Sequence, residues 1–285
     1  KPSRFIAEAI AEGTSGIKSD KSGKGMITGE SEKMTSDLKP YELPKTVSFT
    51  QIAAFSTCPM QYKFAHILKV PVFGRHSMSF GKSMHSVLEL YLGKVQEVEK
   101  VEEVKEAELL DLYDQCWIDE WYPDQITKDE YYEKGKESLI EYRKQLITDP
   151  PTIAFLEKGF TLKIGDITVR GRIDRMDQVD GGIEIVDYKT GKPKEKLSWQ
   201  DKRQLVLYQL ACEQCFDPPL IVKKLTYHYL DDNSTVSFEA SVKDKVRLTA
   251  EFLDTVEAIK KSDFSATPGF HCSYCDFKGI CEFKS

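Results

Sequence analysis

A chain of 285 residues is long enough for one large domain or two small ones and can bury a sizeable core. Forty Lys and Arg against 46 Asp and Glu leave a net charge of −6, which excludes a globally basic nucleic-acid coat but not a local basic groove. No apolar run is long enough for a membrane-spanning helix or a signal-peptide core, and 40% hydrophobic with 30% charged residues describes a soluble, cytoplasmic-type globule.

The first residue is Lys1 rather than Met, so the chain reads as a processed protein or a piece of a longer polypeptide. Residues 1–12 include a short candidate helix at 2–10. Residues 13–46 are rich in Gly, Ser, Lys and Glu and poor in apolar side chains. Such a segment cannot offset its ordering entropy by burial, and it reads as a flexible linker. The ordered domain is expected at 47–285. Ser48-Phe49-Thr50-Gln51, followed by Ile52, Phe55, Tyr62 and Phe64, predicts one or two helices capped by Ser48 or Thr50. Met84, Val87, Leu88, Tyr91 and Val95 recur at helical spacing within 79–98, and 102–121 and 128–147 read as two more amphipathic helices.

The period then changes from helical to two. Segments starting at Phe160, Ile167 and Ile183 alternate as strands, with Gly165-Asp166 and Asp180-Gly181-Gly182 as hairpin turns. A helix follows at 199–215, then strands at 220–230 and 235–239. A last helix at 242–261 is expected to bury Val246, Ala250, Leu253 and Val256. Helices, three strands, helix, strands and helix in that order predict an α/β domain with a mixed sheet.

The most informative stretch is Gly171-Arg172-Ile173-Asp174, then Asp187-Tyr188-Lys189. Side chains at i and i+2 of a strand share a face, so Asp187 and Lys189 point the same way, with Ile183 and Ile185 but not Glu184. The Gly-Gly turn folds Asp174 back beside them. Two carboxylates and a lysine on adjacent strands suit phosphodiester hydrolysis with a hard divalent cation, Mg²⁺ or Mn²⁺. An isolated Asp-x-Lys also reads as a surface ion pair that contributes almost nothing. Gly81-Lys82-Ser83-Met84-His85 puts a histidine on the first strong helix, as a metal ligand or a satisfied structural residue, with Glu89 one turn on as its partner or as part of a surface pair. Gln204 and Tyr208, four apart, share a helix face.

Gly-x3-His, Gly-x-Ile-Asp, Asp-x-Lys and Gln-x3-Tyr in this order resemble the RecB-like branch of the PD-(D/E)XK nuclease superfamily, over about residues 48–285. The resemblance implies a restriction-endonuclease-like core, a mixed β-sheet flanked by α-helices, that hydrolyses DNA with Mg²⁺ or Mn²⁺. It makes His85, Asp174 and Asp187 metal ligands and Lys189 the water-orienting lysine. Gln204 would hold the active strand and DNA, and Tyr208 would contact DNA. Two departures are small: Ile173 stands before the first acid where Pro is usual, and the second acid is Asp.

Seven cysteines make an odd number, so grouped cysteines point to metal or cluster ligation rather than a disulfide framework. Cys272, Cys275 and Cys281 form C-x2-C-x5-C, and Cys58 is the best fourth donor. This resembles a subset of RecB-like nucleases in which one cysteine before the core and three after it hold a [4Fe-4S] cluster; structural zinc is the alternative. If cluster closure acts like a disulfide over so long a loop, the four-cysteine set staples the ends of the domain by about 5 kcal/mol. Cys212 and Cys215, with Cys116 as their only spare companion, read as ordinary thiols, and His271 as a bystander.

Arg170, Arg172 and Arg175, then Lys192, Lys194 and Lys196, read as solvated loops or as local phosphate contacts. Trp199 and Tyr208 are candidate stacking faces for unpaired bases. Pro2-Ser3-Arg4-Phe5-Ile6 resembles a segment near the end of the motor in UvrD-like superfamily 1 helicases. That implies a C-terminal nuclease joined to a helicase, acting on single-stranded DNA ends in repair or recombination. A non-catalytic DNA-binding or scaffolding module on the same fold and a zinc-bound interaction module are the competing readings.

Overall fold

The computed structural model describes residues 41–283 apart from Phe73. The candidate helix at 2–10 and most of the expected linker lie outside the described residues. The packed chain starts before residue 47: Tyr41 and Leu43 lie against the core, and the Tyr41 ring meets Tyr62 and Phe264 edge-on.

Strand β1 (Thr46–Ser48) was not expected, because three residues carry no readable period. Ser48 ends it and caps α1 (Phe49–Thr57) in a capping box with Gln51. Pro59 opens the short α2 (Pro59–Tyr62). Then come α3 (His76–Gln96), α4 (Glu106–Cys116) and α5 (Gln125–Thr148), the last capped by Asp124. Strands β2 (Ile153–Ile164), β3 (Ile167–Val179) and β4 (Gly182–Lys189) follow. Their turns use Gly165 and Gly181 at φ +59° and +71°, the left-handed region that favours glycine. Helix α6 (Trp199–Cys215), strands β5 (Val222–Tyr229) and β6 (Ser234–Phe238), and α7 (Val242–Lys261) complete the order.

The sheet runs β1-β3-β4-β5-β6, with β2 on the far side of β3. β1–β3 and β4–β5 are parallel, and β2–β3, β3–β4 and β5–β6 antiparallel, so the sheet is mixed as expected. One edge of β3 is shared. β1 pairs with Thr168–Arg170, and β4 pairs only from Arg175 onward. Residues 171–174 lie at the fork between them.

Helices cover both faces. Ile173, Met176, Ile183 and Ile185 pack with Leu205 and Val206 of α6 and with Phe252 and Val256 of α7. Val186 and Tyr188 pack with α3, α4 and α5 through Met84, Leu109 and Tyr142. The α7 face differs from the expectation. Leu248, Phe252, Val256 and Ile259 are buried, whereas Val246, Ala250 and Leu253 are exposed. The helix carries two apolar stripes, and only tertiary packing chooses between them.

Candidate active site

The fork in the sheet builds the site. Past Arg175 the β3–β4 ladder stops, and the Tyr188 N–H is taken by the Asp174 carboxylate at 2.9 Å. A side chain thus replaces the next backbone rung and fixes Asp174 beside Asp187-Tyr188-Lys189. The strand period then sorts those three residues. Tyr188 turns toward α5, where its hydroxyl lies 2.6 Å from that of Tyr142. Asp187 and Lys189 face α6, with the Lys189 Nζ 2.6 Å from Asp187 Oδ2.

Gln204 on α6 ties this pair together. Its Nε2 donates to Asp187 Oδ1 at 3.0 Å and to the Tyr208 hydroxyl at 2.7 Å, and its Oε1 accepts from Lys189 Nζ at 3.1 Å. Gln204 and Tyr208 share a helix face as expected, but Tyr208 is buried, with its ring edge-on to Phe160. Burial removes it from the stacking faces open to DNA; what it touches is Gln204. Phe160 in turn lies over Gly171, where a Cβ would sit 2.5 Å from the ring, so the glycine of Gly-x-Ile-Asp makes room for that aromatic. Trp199 is half-buried and donates its Nε1–H to Glu251, which disfavours it as a platform too.

His85 on α3 completes the cleft, with Nδ1 3.5 Å from Asp174 Oδ2. Burial lowers its pKa, and the Lys189 charge lowers it further against the pull of Asp187. The imidazole is therefore held toward its neutral, metal-binding form. Asp174 is pushed well above the usual carboxylate range, first by burial and then by the Asp187 charge.

One residue escaped the sequence reading. Glu157 of β2 joins His85 and Asp174 in a group whose ligand atoms all lie within 4.8 Å of one another. Burial raises its pKa, and the Glu89 and Asp187 charges raise it further. Glu157 stands at φ +45°, opposite the fork, where the β2–β3 register passes from Leu156↔Arg175 to Lys158↔Ile173. A lone Glu in a strand gives no periodic signal; its backbone angle is the mark, and only the structure shows it. Glu89 is exposed and acts here through its charge on Glu157. Three carboxyls, Glu157, Asp174 and Asp187, thus face two cations, Lys189 at Asp187 and the exposed Arg172 at 3.5 Å from Glu157, which leaves one carboxyl over. That excess of negative charge suits a hard cation.

The basic residues divide. Arg172 lies 3.5 Å from Glu157 and is 63% exposed. Lys192 is exposed, and Lys194 pairs with Asp201. Arg175 is no phosphate contact: it is buried and paired with Asp177 at 3.0 Å, on the Tyr188 side.

Cys58, Cys272, Cys275 and Cys281 line one pocket, together with His271. His271 lines the same pocket, and its buried Nε2 has no hydrogen-bond partner. Burial raises the Cys275 thiol, as do its neighbours Cys58 and Cys272. Burial also acts to raise Cys58, but hydrogen bonds at Thr267, Gln61 and Met60 outweigh it and lower that thiol. Cys212 is buried and Cys215 exposed, apart from this group.

A forked mixed sheet flanked by helices, with Asp174 at the fork and Asp187-x-Lys189 beside it, is the arrangement of a nuclease fold of the restriction-endonuclease-like class. A model of the PD-(D/E)XK nuclease superfamily matches residues 46–282, and the chain belongs to that superfamily. It is 25% identical over 283 positions to the Gene 69 protein of Mycobacterium phage L5, covering 82% of this chain and 95% of that one. The Gene 69 protein of phage D29 is 24% identical over 266 positions, with the same coverage. A solved protein of Eubacterium rectale, provisionally named an exonuclease, shares the fold with a TM-score of 0.53 at 10% identity, over 92% of this chain and 96% of that one. No helix among the described residues is long and apolar enough to cross a membrane.

Proposed function

We propose that this chain is a Mg²⁺- or Mn²⁺-dependent deoxyribonuclease, an exonuclease acting on single-stranded ends. The carrying observation is the junction in which Gln204 binds both Asp187 and Lys189 while Asp174 caps Tyr188 and approaches a neutral-leaning His85. His85, Asp174, Asp187 and Glu157 would hold the ion, as the excess of carboxyls fits. A bound ion there supplies polarisation of a phosphoryl oxygen and a more acidic water. Lys189 keeps its ammonium at the cleft because Asp187 and Gln204 grip it, and it neutralises charge developing on the phosphate or orients the attacking water. Gln204 fixes the rotamers of Asp187 and Lys189 together. Arg172 at the rim is placed to meet a phosphate of the strand, with Lys192 on the loop that follows β4.

The four thiols support a cluster. Cys58, Cys272, Cys275 and Cys281 line one pocket, as a shared occupant requires. The resemblance to cluster-bearing RecB-like nucleases favours a [4Fe-4S] unit there over structural zinc. The Pro2-Ser3-Arg4-Phe5 resemblance supports a helicase motor in the same polypeptide and a role in DNA repair or recombination.

The test is cleavage of end-labelled single-stranded DNA by anaerobically purified protein with Mg²⁺, Mn²⁺ or EDTA, beside Asp187→Ala. Metal-dependent cleavage lost in the variant is expected. No cleavage by folded, cluster-loaded protein would overturn the catalytic reading in favour of a binding module. A broad absorption near 400 nm is expected from the cluster; a colourless, zinc-loaded protein would refute it.

A further inference from the structure

Two aromatic rings stand out on the surface. Phe270 is 86% exposed and Tyr274 53% exposed, their centroids 5.6 Å apart at 71°. They sit on the 3₁₀ turn Phe270–Tyr274 that also carries Cys272. Arg75, just before α3, donates to the Tyr274 carbonyl and lies 2.5 Å from Asp276, so it ties this turn to the start of α3. From there α3 leads to the acidic centre. Met78, Lys82 and His85 follow at helical spacing, with Met78 51% exposed and Lys82 exposed, while Ser79, Phe80, Ser83 and Met84 face inward. At 1.5 Å per residue the stretch from Arg75 to His85 is about 15 Å. Lys278 adds a second cation, its ammonium 3.4 Å from the Ser273 carbonyl on the aromatic turn.

We infer that this strip is the track of the single-stranded DNA outside the cleft, with Phe270 and Tyr274 stacking on bases and Lys82 and Lys278 meeting phosphates. The inference deepens the nuclease reading and rests on it for the identity of the strand. An exposed aromatic pair at one end and Lys82 on the helix that leads to the acidic centre match single-stranded nucleic acid: bases have faces to stack, and phosphates a charge to neutralise. At a rise of about 3.4 Å per nucleotide, the stretch from Arg75 to His85 accommodates about four nucleotides.

The experiment measures binding of labelled dT4 and dT12 to the full, cluster-loaded chain, with Ca²⁺ in place of the catalytic metal. The comparison is wild type, Phe270→Ala/Tyr274→Ala, and Phe270→Tyr/Tyr274→Trp as a conservative variant that guards against misfolding. The alanine pair is expected to weaken dT12 binding tenfold to a hundredfold and dT4 binding less than twofold, with an unchanged salt slope. The conservative pair is expected to bind dT12 like wild type. Lys82→Ala is expected to weaken binding and reduce the salt slope by about one. Equal dT12 affinity in the alanine pair would overturn the track, as would a wild-type dimer that this pair converts to monomer without loss of DNA binding. Wild-type protein that never cleaves, yet binds dT12 with the stated aromatic dependence, would sink the nuclease reading and leave the track standing. Normal cleavage without that dependence would do the reverse.

Discussion

Residues 174 and 175 are neighbours on one strand, and they serve opposite ends. Around Asp174 three carboxyls meet Lys189 and the exposed Arg172, one cation short, beside a histidine that leans neutral. Around Arg175 the charges balance: the guanidinium pairs with Asp177 and donates to the Tyr142 and Tyr188 hydroxyls at 2.6 and 2.8 Å. Both sites bury charge. The balanced one reads as scaffold, although Arg175 Nε and Asp177 Oδ1 keep no hydrogen-bond partner, whereas the other carries one carboxyl more than its cations. Unmatched charge of one sign, more than burial or shifted pKa, separates a site from a scaffold here.

The comparison predicts which side loses chemistry and which loses stability. Asp187→Ala and Lys189→Ala are expected to reduce cleavage by on the order of 10³-fold. The melting temperature should hold in Asp187→Ala, which removes one of several like charges, whereas Lys189→Ala leaves buried Asp187 without its ammonium and is to be compared per folded molecule. Activity near wild type in either variant would remove the assignment. Arg175→Met is expected to do the opposite. It leaves Asp177 buried and unpaired and destabilises the fold by about 3–5 kcal/mol, and Arg175→Met/Asp177→Leu should recover most of that. Denaturant midpoints of the two variants, compared with cleavage per folded molecule, check this.

The balanced side also carries two opposed acid responses. Burial raises the Asp177 pKa to about 6, so the stability it contributes is present below about pH 4 and lost as pH rises through 6. Burial lowers the His228 pKa to about 4, so its contribution is present above pH 6.5 and lost as pH falls through 4. Each is on the order of 3 kcal/mol, and they largely cancel between pH 4 and 6. His228→Gln should therefore make the protein relatively more stable in acid than wild type, and Asp177→Asn relatively less. Parallel pH profiles for all three proteins would break this account. The smallest effect expected is at the sharpest point of the comparison. Glu157→Gln should lower cleavage ten- to a hundredfold and be partly rescued by more Mn²⁺. Unchanged metal titration would place Glu157 outside the ligand set.

Much of this was legible in the chain. Period-two alternation placed Asp187 and Lys189 on one face, and the glycine turns placed Asp174 beside them. The capped helices fell close to their expected spans, α7 at 242–261 among them. What could not be read depended on tertiary context. Glu157 is marked by a backbone angle, β1 by a partner over a hundred residues away, and the buried stripe of α7 by a choice between two apolar faces. Arg175 and Tyr208 looked like DNA contacts because a polar or aromatic side chain beside an active strand gives no sign of burial.

The fork in β3 also guards against misassembly. Sliding β4 by one residue along its neighbour would turn Tyr188 toward α6 and drive Asp187 and Lys189 into the aromatic pocket of Tyr142. The Asp174 carboxylate recognises the Tyr188 amide only in the native alignment, and Arg175 recognises the Tyr188 hydroxyl only there as well. One tyrosine is thus read at both ends, and an acidic centre assembles only on a chain whose strands have paired correctly.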